Sequence, residues 1–481
     1  MAGIGFELKK LFKKKSFLSS LRAYGYTTII CTGPMILGIL LLLGITILCN
    51  FSGTPRGTTD IILSMITYTL LTSLIATSFL SMVSVRFVAD MLYENRYETI
   101  LSSFWGVVTL TIIPTGIIYR IFLFFSGATY LQQVFLIILF GLLIIVWNTM
   151  SYLTAIKDYK SIFLSFTAAI TVTFLTGVLL LWLSVPVIEA MLVSVITGYG
   201  VMDLWNIILL YRYFPQSKTS PFLFLKWVDE FRALAITGLC ANIGMFAHIV
   251  IMWFSSVGKN VYGLFYSAPF YDVPALIAFM TTLVTSVNFV VSVEVNFYPK
   301  YKNHYALYNS NGTIKDIKIA ENEMLQTLKL ELFYTSLKQL FATAIFLAVM
   351  GYFLNVLPLG FNELMRGYFR TLCIAYGLYA IANMLMLILL YFTDYKGALF
   401  ATVSFSVTSI VFTIISLFFS QEQYGFGFLF SAFVYAVISV VRLEYFTKKL
   451  PYFILAVKPL VEETKYGMFS RLGKFLDKKL L

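Results

Sequence analysis

The amino-acid sequence predicts an all-α polytopic membrane protein with about twelve transmembrane helices. Three observations carry that expectation. Hydrophobic residues make up 59% of the 481-residue chain and charged residues only 12%, whereas soluble domains carry roughly 25% charge. The apolar residues fall in long continuous runs, not in ten-residue alternating segments, which selects helices over a closed barrel. Lys and Arg are concentrated on alternate connections between the runs, as cytoplasmic loops require.

A helix needs about 20 apolar residues to cross about 30 Å of hydrocarbon. Runs of that kind lie at 24–50, 60–88, 100–125, 131–155, 161–184, 186–211, 233–255, 264–292, 333–357, 367–393, 397–419 and 424–446. The stretch from Leu264 to Val293 is the least regular, because Pro269 and Pro274 interrupt it. Of the 35 Lys and Arg residues, only Arg56, Arg120, Lys259, Arg366 and Arg370 fall on one side of this ladder. The other side includes both chain ends, so both termini are expected in the cytoplasm and the protein in the cell membrane. The formal net charge of +12 then reports topology, and its dispersal over many loops argues against a nucleic-acid surface. No cleavable signal is apparent, since the first apolar run is longer than a signal core and follows a basic stretch. Cys31, Cys49, Cys240 and Cys373 lie in or at the ends of spans without metal-ligand spacing and read as packing residues.

The domain reading follows the ladder. Residues 1–23 form a basic amphipathic N-terminus, 24–213 a first group of six spans, 214–230 a cytoplasmic linker, and 231–446 a second group of six with a cytoplasmic loop at 294–330. Residues 447–481 form a basic amphipathic tail, in which Met468, Phe469, Leu472, Phe475, Leu476 and Leu480 alternate with cations. Both ends suit a helix lying on anionic lipid, with docking of a cytoplasmic partner as the alternative. Within the loop, Asn309 to Gly312 signals a turn and Ile314 to Leu330 a charged helix. The exits after spans two and eight, Val85 to Arg96 and Val290 to Tyr301, echo one another, as a parallel repeat of six spans would.

Charges deep in a span cost about 2.5–3.5 kcal/mol on insertion scales, so each needs a reason. Asp203 lies nine residues before Arg212, hence roughly 13 Å inward. It shares a helical stripe with Thr197, Gly200 and Asn206. Span eight carries Thr281, Thr285, Asn288 and Ser292, with Asp272 nearer its outer half, and span seven carries Thr237, Ala241, Gly244 and His248. Such stripes either join helices or line a wet cavity. Trp147, Tyr152, Trp205, Tyr266, Phe270 and Tyr271 supply rings on which a sugar could stack, or ordinary packing and interfacial belts. No phosphate-binding GxxxxGK[ST] loop or HExxH occurs, and two histidines cannot build a metal set. A translocator without cofactor or catalytic residues is the expectation.

Four runs carry a family likeness: the opening MAGIGFELKKL with Lys9, the LRAYGYTTIICTGPMILG run at Leu21, the YDVP at Tyr271 and VEVNFYPKYKNHY at Val293. In these the chain resembles the Pel exopolysaccharide transporter family, PelG, of the multidrug/oligosaccharidyl-lipid/polysaccharide exporter superfamily. The resemblance implies two six-helix bundles around a central cavity lined by spans one, two, seven and eight. It also implies export of an N-acetylgalactosamine-rich polymer for biofilm matrix. The implied partners are a cytoplasmic glycosyltransferase and a cyclic-di-GMP-responsive membrane protein. The polar stripes and rings, not the resemblance, mark Asp203, Asp272, Asn206, Thr285, Asn288, His248, Trp205 and Tyr271 as the candidate substrate path, and the resemblance fits the stripes on spans seven and eight better than that of Asp203 on span six. Glu294, Tyr298 and Tyr301 are candidates for a cytoplasmic gate or partner contact, with an ordinary cytoplasmic end charge as the other reading of Glu294. A lipid-linked oligosaccharide flippase, a drug/cation antiporter of the same fold and a non-transporting scaffold are the alternatives. The flippase would need basic residues deep in the cavity, and the deep charges here are mostly acidic.

Overall fold

The computed structural model describes residues 38–153, 159–308, 313–356, 362–455 and 467–480. Apolar runs become helices because no other open-chain form satisfies its backbone in lipid. Among the described residues eleven helices are long and apolar enough to cross a membrane, and a shorter apolar helix, α1, is described over Gly38–Phe51. The N-terminal segment, with Lys9 and the start of the first span, lies outside the described residues.

The chain forms two compact units. Among the described residues the first holds 38–246, 252–268 and 467–480. After α1 it contains α2 (Arg56–Tyr93), α3 (Glu98–Phe125), α4 (Tyr130–Leu153), α5 (Tyr159–Trp182) and α6 (Val187–Tyr213). A six-residue α7 (Leu225–Glu230) then leads into α8 (Arg232–Trp253). Small residues set the closest approaches, as expected where lipid supplies no hydrophobic drive between helices. A Cβ on Gly198 of α6 would collide with Thr173 of α5, and one on Gly44 of α1 with the Phe174 ring. Polar bonds also join helices of this unit: Thr176 to Thr197 at 3.0 Å, Thr69 to the Tyr119 hydroxyl at 2.7 Å, and Trp147 Nε1 donating to Ser73 at 3.0 Å.

A short antiparallel hairpin, β1 (Lys259–Tyr262) and β2 (Phe265–Ser267), follows α8. It corrects the expected span 264–292: residues 264–267 belong to the hairpin, and the helix begins at Pro269. Apolar content alone does not distinguish a strand that packs its rings from a span. Here Phe265 and Trp253 close on Tyr68 at 5.2 and 4.5 Å between ring centroids. Gly263 turns the hairpin at φ +54°, and a Cβ there would strike the Ser126 carbonyl. Gly263→Ala should therefore cost about 1–3 kcal/mol through backbone strain and clash, read as a lower melting temperature in detergent.

The second unit holds 247–251 of α8 and everything described from 269 to 455. Its first span is broken into α9 (Pro269–Phe279), α10 (Thr282–Val291), a π turn (Ser292–Phe297) and α11 (Tyr298–Tyr308). The π turn gives this exit a shape unlike the plain helix end of α2, so the two sequence echoes do not share a backbone form. Then come α12 (Ile314–Val356), α13 (Glu363–Tyr391), α14 (Tyr395–Ser416), α15 (Phe426–Lys448) and α16 (Leu450–Leu455). The stretch 294–330 is helical at both ends, not an open loop, and α12 begins at Ile314, the start of the expected charged helix. The turn at 309–312 lies outside the described residues. Ala320, Met324 and Leu328, spaced by four, are buried where α12 meets α11, and Lys300 pairs with Glu323 at 2.6 Å. Asp394 caps α14 and takes two bonds from Arg442 of α15, at 2.6 and 2.8 Å.

The C-terminal helix α17 (Met468–Leu480) folds against α7 within the first unit. Asp229 accepts from the Ser470 N–H at 2.6 Å, the Ser470 hydroxyl at 2.7 Å and the Phe469 N–H at 3.4 Å, and pairs with Arg232 at 3.0 Å. Burial alone would raise the Asp229 carboxyl, but these hydrogen bonds outweigh it and hold the group below the ordinary carboxylate range. Its contribution to docking is therefore complete above the ordinary carboxylate pKa of about 3.9 and is lost as pH falls through the depressed value. Asp229→Ala should weaken docking by about 3 kcal/mol. The check is faster hydrogen exchange across residues 468–480 at neutral pH.

Candidate functional site

The polar residues singled out from the sequence fall into two groups, one in each unit. In the first unit, α6 presents Met202, Asp203, Asn206 and Leu210 inward and Leu204, Trp205 and Ile208 outward. Asp203 is 3% exposed and Asn206 fully buried. Neither carboxylate oxygen of Asp203, and neither amide atom of Asn206, has a hydrogen-bond partner among the described residues. Asn148, on the neighbouring α4, is 1% exposed, with its Nδ2 bonded to the Ile144 carbonyl and its Oδ1 unpartnered. Native interiors rarely leave so many polar atoms unsatisfied, so Asp203, Asn206 and Asn148 form the polar cluster of this unit with the most hydrogen-bonding capacity to offer. Trp205 is on the opposite, exposed face of α6 and does not join this set.

In the second unit, His248 is completely buried and bonded at both ring nitrogens. Nδ1 lies 2.8 Å from the Tyr271 hydroxyl and Nε2 lies 3.2 Å from the Tyr376 hydroxyl. Phe428 stacks on the imidazole with 3.9 Å between centroids, and Tyr368 meets the Tyr271 ring edge-on at 5.2 Å. Asp272 is half-buried beside Tyr271 and within electrostatic reach of Tyr376. Helices α8, α9, α13 and α15 thus converge on one imidazole.

The stripe on α10 is taken up by α12. Thr285 donates to Gln339 Oε1 at 2.6 Å, Gln339 donates on to Thr343 at 3.2 Å, and Lys338 donates to Asn288 Oδ1 at 3.0 Å. Ser292 meets Thr335 at 3.3 Å. In this structure the stripe joins two helices, the first of the two roles open to it in the sequence. Tyr301 donates to the Tyr391 carbonyl at 3.2 Å, and Tyr298 is half-buried. Glu294 sits in the π turn, with its side chain outside the described part. Of the rings proposed as sugar platforms, Tyr152 is fully buried against Ser103 and Trp147 is tied to Ser73, so both pack. Phe270 is 46% exposed.

Sequence reasoning missed Asn148, Gln339, Tyr368, Tyr376 and Phe428. Gln339 had a usable signal, an amide inside the apolar run 333–357. Tyr376 had none, being one of 31 tyrosines. Among the described residues no group of three His, Cys, Asp or Glu could hold a metal ion.

Two bundles of apolar helices with sparse polar groups define the class: this is a multi-pass membrane protein with the twelve-helix, two-bundle fold of MOP-superfamily transporters. Solved structures share that fold at low identity. A MOP superfamily transporter from Pyrococcus furiosus, described as having a binding pocket of reverse polarity, matches with TM-score 0.60 at 11% identity, covering 89% of this chain and 95% of that one. The outward-facing form of a multidrug resistance MATE family transporter matches with TM-score 0.59 at 12% identity, over 88% and 96%. The eukaryotic MATE transporter AtDTX14 matches with TM-score 0.56 at 11% identity, over 95% and 97%. No curated protein sequence matches the chain. The family model for PelG, described as "Putative exopolysaccharide Exporter (EPS-E)", matches residues 1–455. The chain belongs to the PelG family.

Proposed function

We propose that this protein carries a Pel-type, N-acetylgalactosamine-rich exopolysaccharide across the cytoplasmic membrane, with both termini in the cytoplasm. The observation that carries the reading is the PelG family match over residues 1–455. Polymerisation belongs to a cytoplasmic glycosyltransferase, a cyclic-di-GMP-responsive membrane partner controls it, and this chain is the non-enzymatic conduit. Charge placement supports the orientation: Arg86, Arg96, Arg212, Lys218, Lys226 and Arg232 gather at one end of the first unit's helices. In this reading Asp203 and Asn206 are path residues, supported by buried polar atoms without a hydrogen-bond partner among the described residues, and Asp272 joins them as a half-buried carboxylate. The test is reconstitution in sealed vesicles with the glycosyltransferase and a labelled UDP-sugar. Labelled polymer inside the vesicles, resistant to added glycosidase, is expected. Polymer that stays outside would overturn the reading.

The drug/cation antiporter reading has one observation in its favour, the buried carboxylate of Asp203, which has no hydrogen-bond partner among the described residues. Dye efflux from the same vesicles under an imposed ion gradient distinguishes it.

A further inference from the structure

Helix α11 buries one side chain completely, and that side chain is His304. It lies in the seam with α12, whose buried residues are Ala320, Met324 and Leu328. The Tyr305 and Tyr308 rings each meet the imidazole edge-on at 5.3 Å. Neither ring nitrogen of His304 has a hydrogen-bond partner among the described residues. A neutral imidazole carries one N–H to give and one lone pair to accept with. Both are left unsatisfied here, a cost that an apolar ring in the same place would not carry. His248 is equally buried but bonded at both nitrogens.

This seam lies beyond the hydrocarbon. The helical run from Pro269 to Tyr308 is 40 residues long, about twice the roughly 20 residues a crossing needs. His304 is near its far end, past the exposed Lys300 and Lys302. Burial holds the imidazole below its ordinary range. The charged groups around the seam are engaged elsewhere or exposed. Lys300 of α11 pairs with Glu323 of α12 at 2.6 Å. On α12, Asp316 bonds Thr313, Glu331 accepts from Asn296, Lys315, Lys318 and Lys329 are exposed, and Glu321 is half-buried beside Tyr308. From the neighbouring elements, Tyr301 bonds the Tyr391 carbonyl, Asp394 is held by Arg442, and Glu294 sits in the π turn.

We propose that the α11–α12 seam is a pH-sensitive hinge with His304 as its trigger, closed around the neutral ring and opened when the ring takes up a proton. Once open, the imidazole ionises near the ordinary histidine value of about 6.5. The closed seam resists the proton, because a charged ring without a partner is costly to bury. The seam's full stability is therefore present above about pH 6.5 and is lost as pH falls toward the depressed native value. Glu321 works the other way, since burial raises its carboxyl and acid then favours the closed form. The Asn296–Glu331, Ser292–Thr335 and Asn288–Lys338 bridges join the same helix pair on the other side of the Lys300–Glu323 pair and mark where the opening stops. The inference is independent of which polymer is exported.

Hydrogen exchange of the full chain in nanodiscs tests it, with rates corrected for the intrinsic effect of pH. Between about pH 7.5 and about pH 5.5, exchange across 301–308 and 314–323 should accelerate by up to about tenfold, while 282–291 of α10 stays unchanged. His304→Phe should abolish the acceleration, with an unchanged elution volume as the check on folding, and Glu321→Gln should keep it. Histidine labelled with 13C at Cε1 gives a reading without any variant at position 304. The chain has two histidines, and His248→Gln assigns their signals. The His304 signal should titrate below about 6.5 and in step with the opening. Acceleration that survives in His304→Phe or disappears in Glu321→Gln would overturn the proposal. So would a His304 that titrates at its ordinary value while the seam stays closed.

Discussion

Replacing Asp203 with Leu is expected to raise the thermal stability of the protein while lowering polymer secretion at least tenfold. The two effects have one cause. Asp203 is 3% exposed and neither oxygen has a partner among the described residues. A buried polar group without a hydrogen bond costs about 1–3 kcal/mol in proteins, and more if it is ionised. Leucine branches at the same carbon and removes that cost, while its larger volume takes back part of the gain, so a net gain of about 1 kcal/mol is expected in detergent melts. Under the proposed function the carboxylate offers its hydrogen-bonding capacity to the substrate, so its loss should lower secretion even as the fold gains. Asn206→Leu, on the same face of α6 with both amide atoms unpartnered, should shift both readouts in the same directions. A stabilised Asp203→Leu protein that secretes polymer at the normal level would remove the residue from the path.

The positions of the spans were largely legible because twenty-residue apolar runs have one outcome in lipid. The expected 131–155 and 186–211 correspond to helices Tyr130–Leu153 and Val187–Tyr213. Legibility failed where local apolar content serves two ends. Phe265 packs on Tyr68 within a strand, and only Gly263 and Pro269, flanking it, marked the run as something other than a continuous span. At 294–330 the charged helix from Ile314 was legible but its partner Tyr298–Tyr308 was not, because the buried seam between them, Ala320, Met324 and Leu328, is only three residues long. The candidate site was legible in its polar members and illegible in their partners. The α10 stripe announces itself by spacing, but whether it joins helices or faces water is decided by Gln339, 54 residues from Thr285. The tail was readable as amphipathic from its own thirteen residues, whereas its mooring on Asp229 depends on a contact 241 residues away. Periodicity records what one helix wants to bury, not which neighbour answers it.

His248→Ala should move stability the other way, by a loss of about 4 kcal/mol. The imidazole is fully buried and stacked on Phe428, so its removal opens a cavity in a closely packed interior, at a typical cost of about 2–5 kcal/mol. Truncation also strips the Tyr271 and Tyr376 hydroxyls of the bonds they make to Nδ1 and Nε2, and each buried hydroxyl left unpaired costs about 1–3 kcal/mol. The costs overlap, because collapse of the cavity can re-pair one hydroxyl, so the sum is not additive. Tyr376→Phe removes only the longer bond and should cost about 1 kcal/mol. Its difference from His248→Ala isolates the cavity and Tyr271 contributions in melts of the purified protein. Secretion should follow the amount of folded protein in both variants. Asp203 and His248, both deep polar residues on neighbouring spans in sequence, are thereby separated by sign: the first is expected to burden the fold, the second to hold four helices together. If His248→Ala instead keeps full stability and loses secretion, the imidazole belongs to the path and the tyrosine bonds are incidental to the fold.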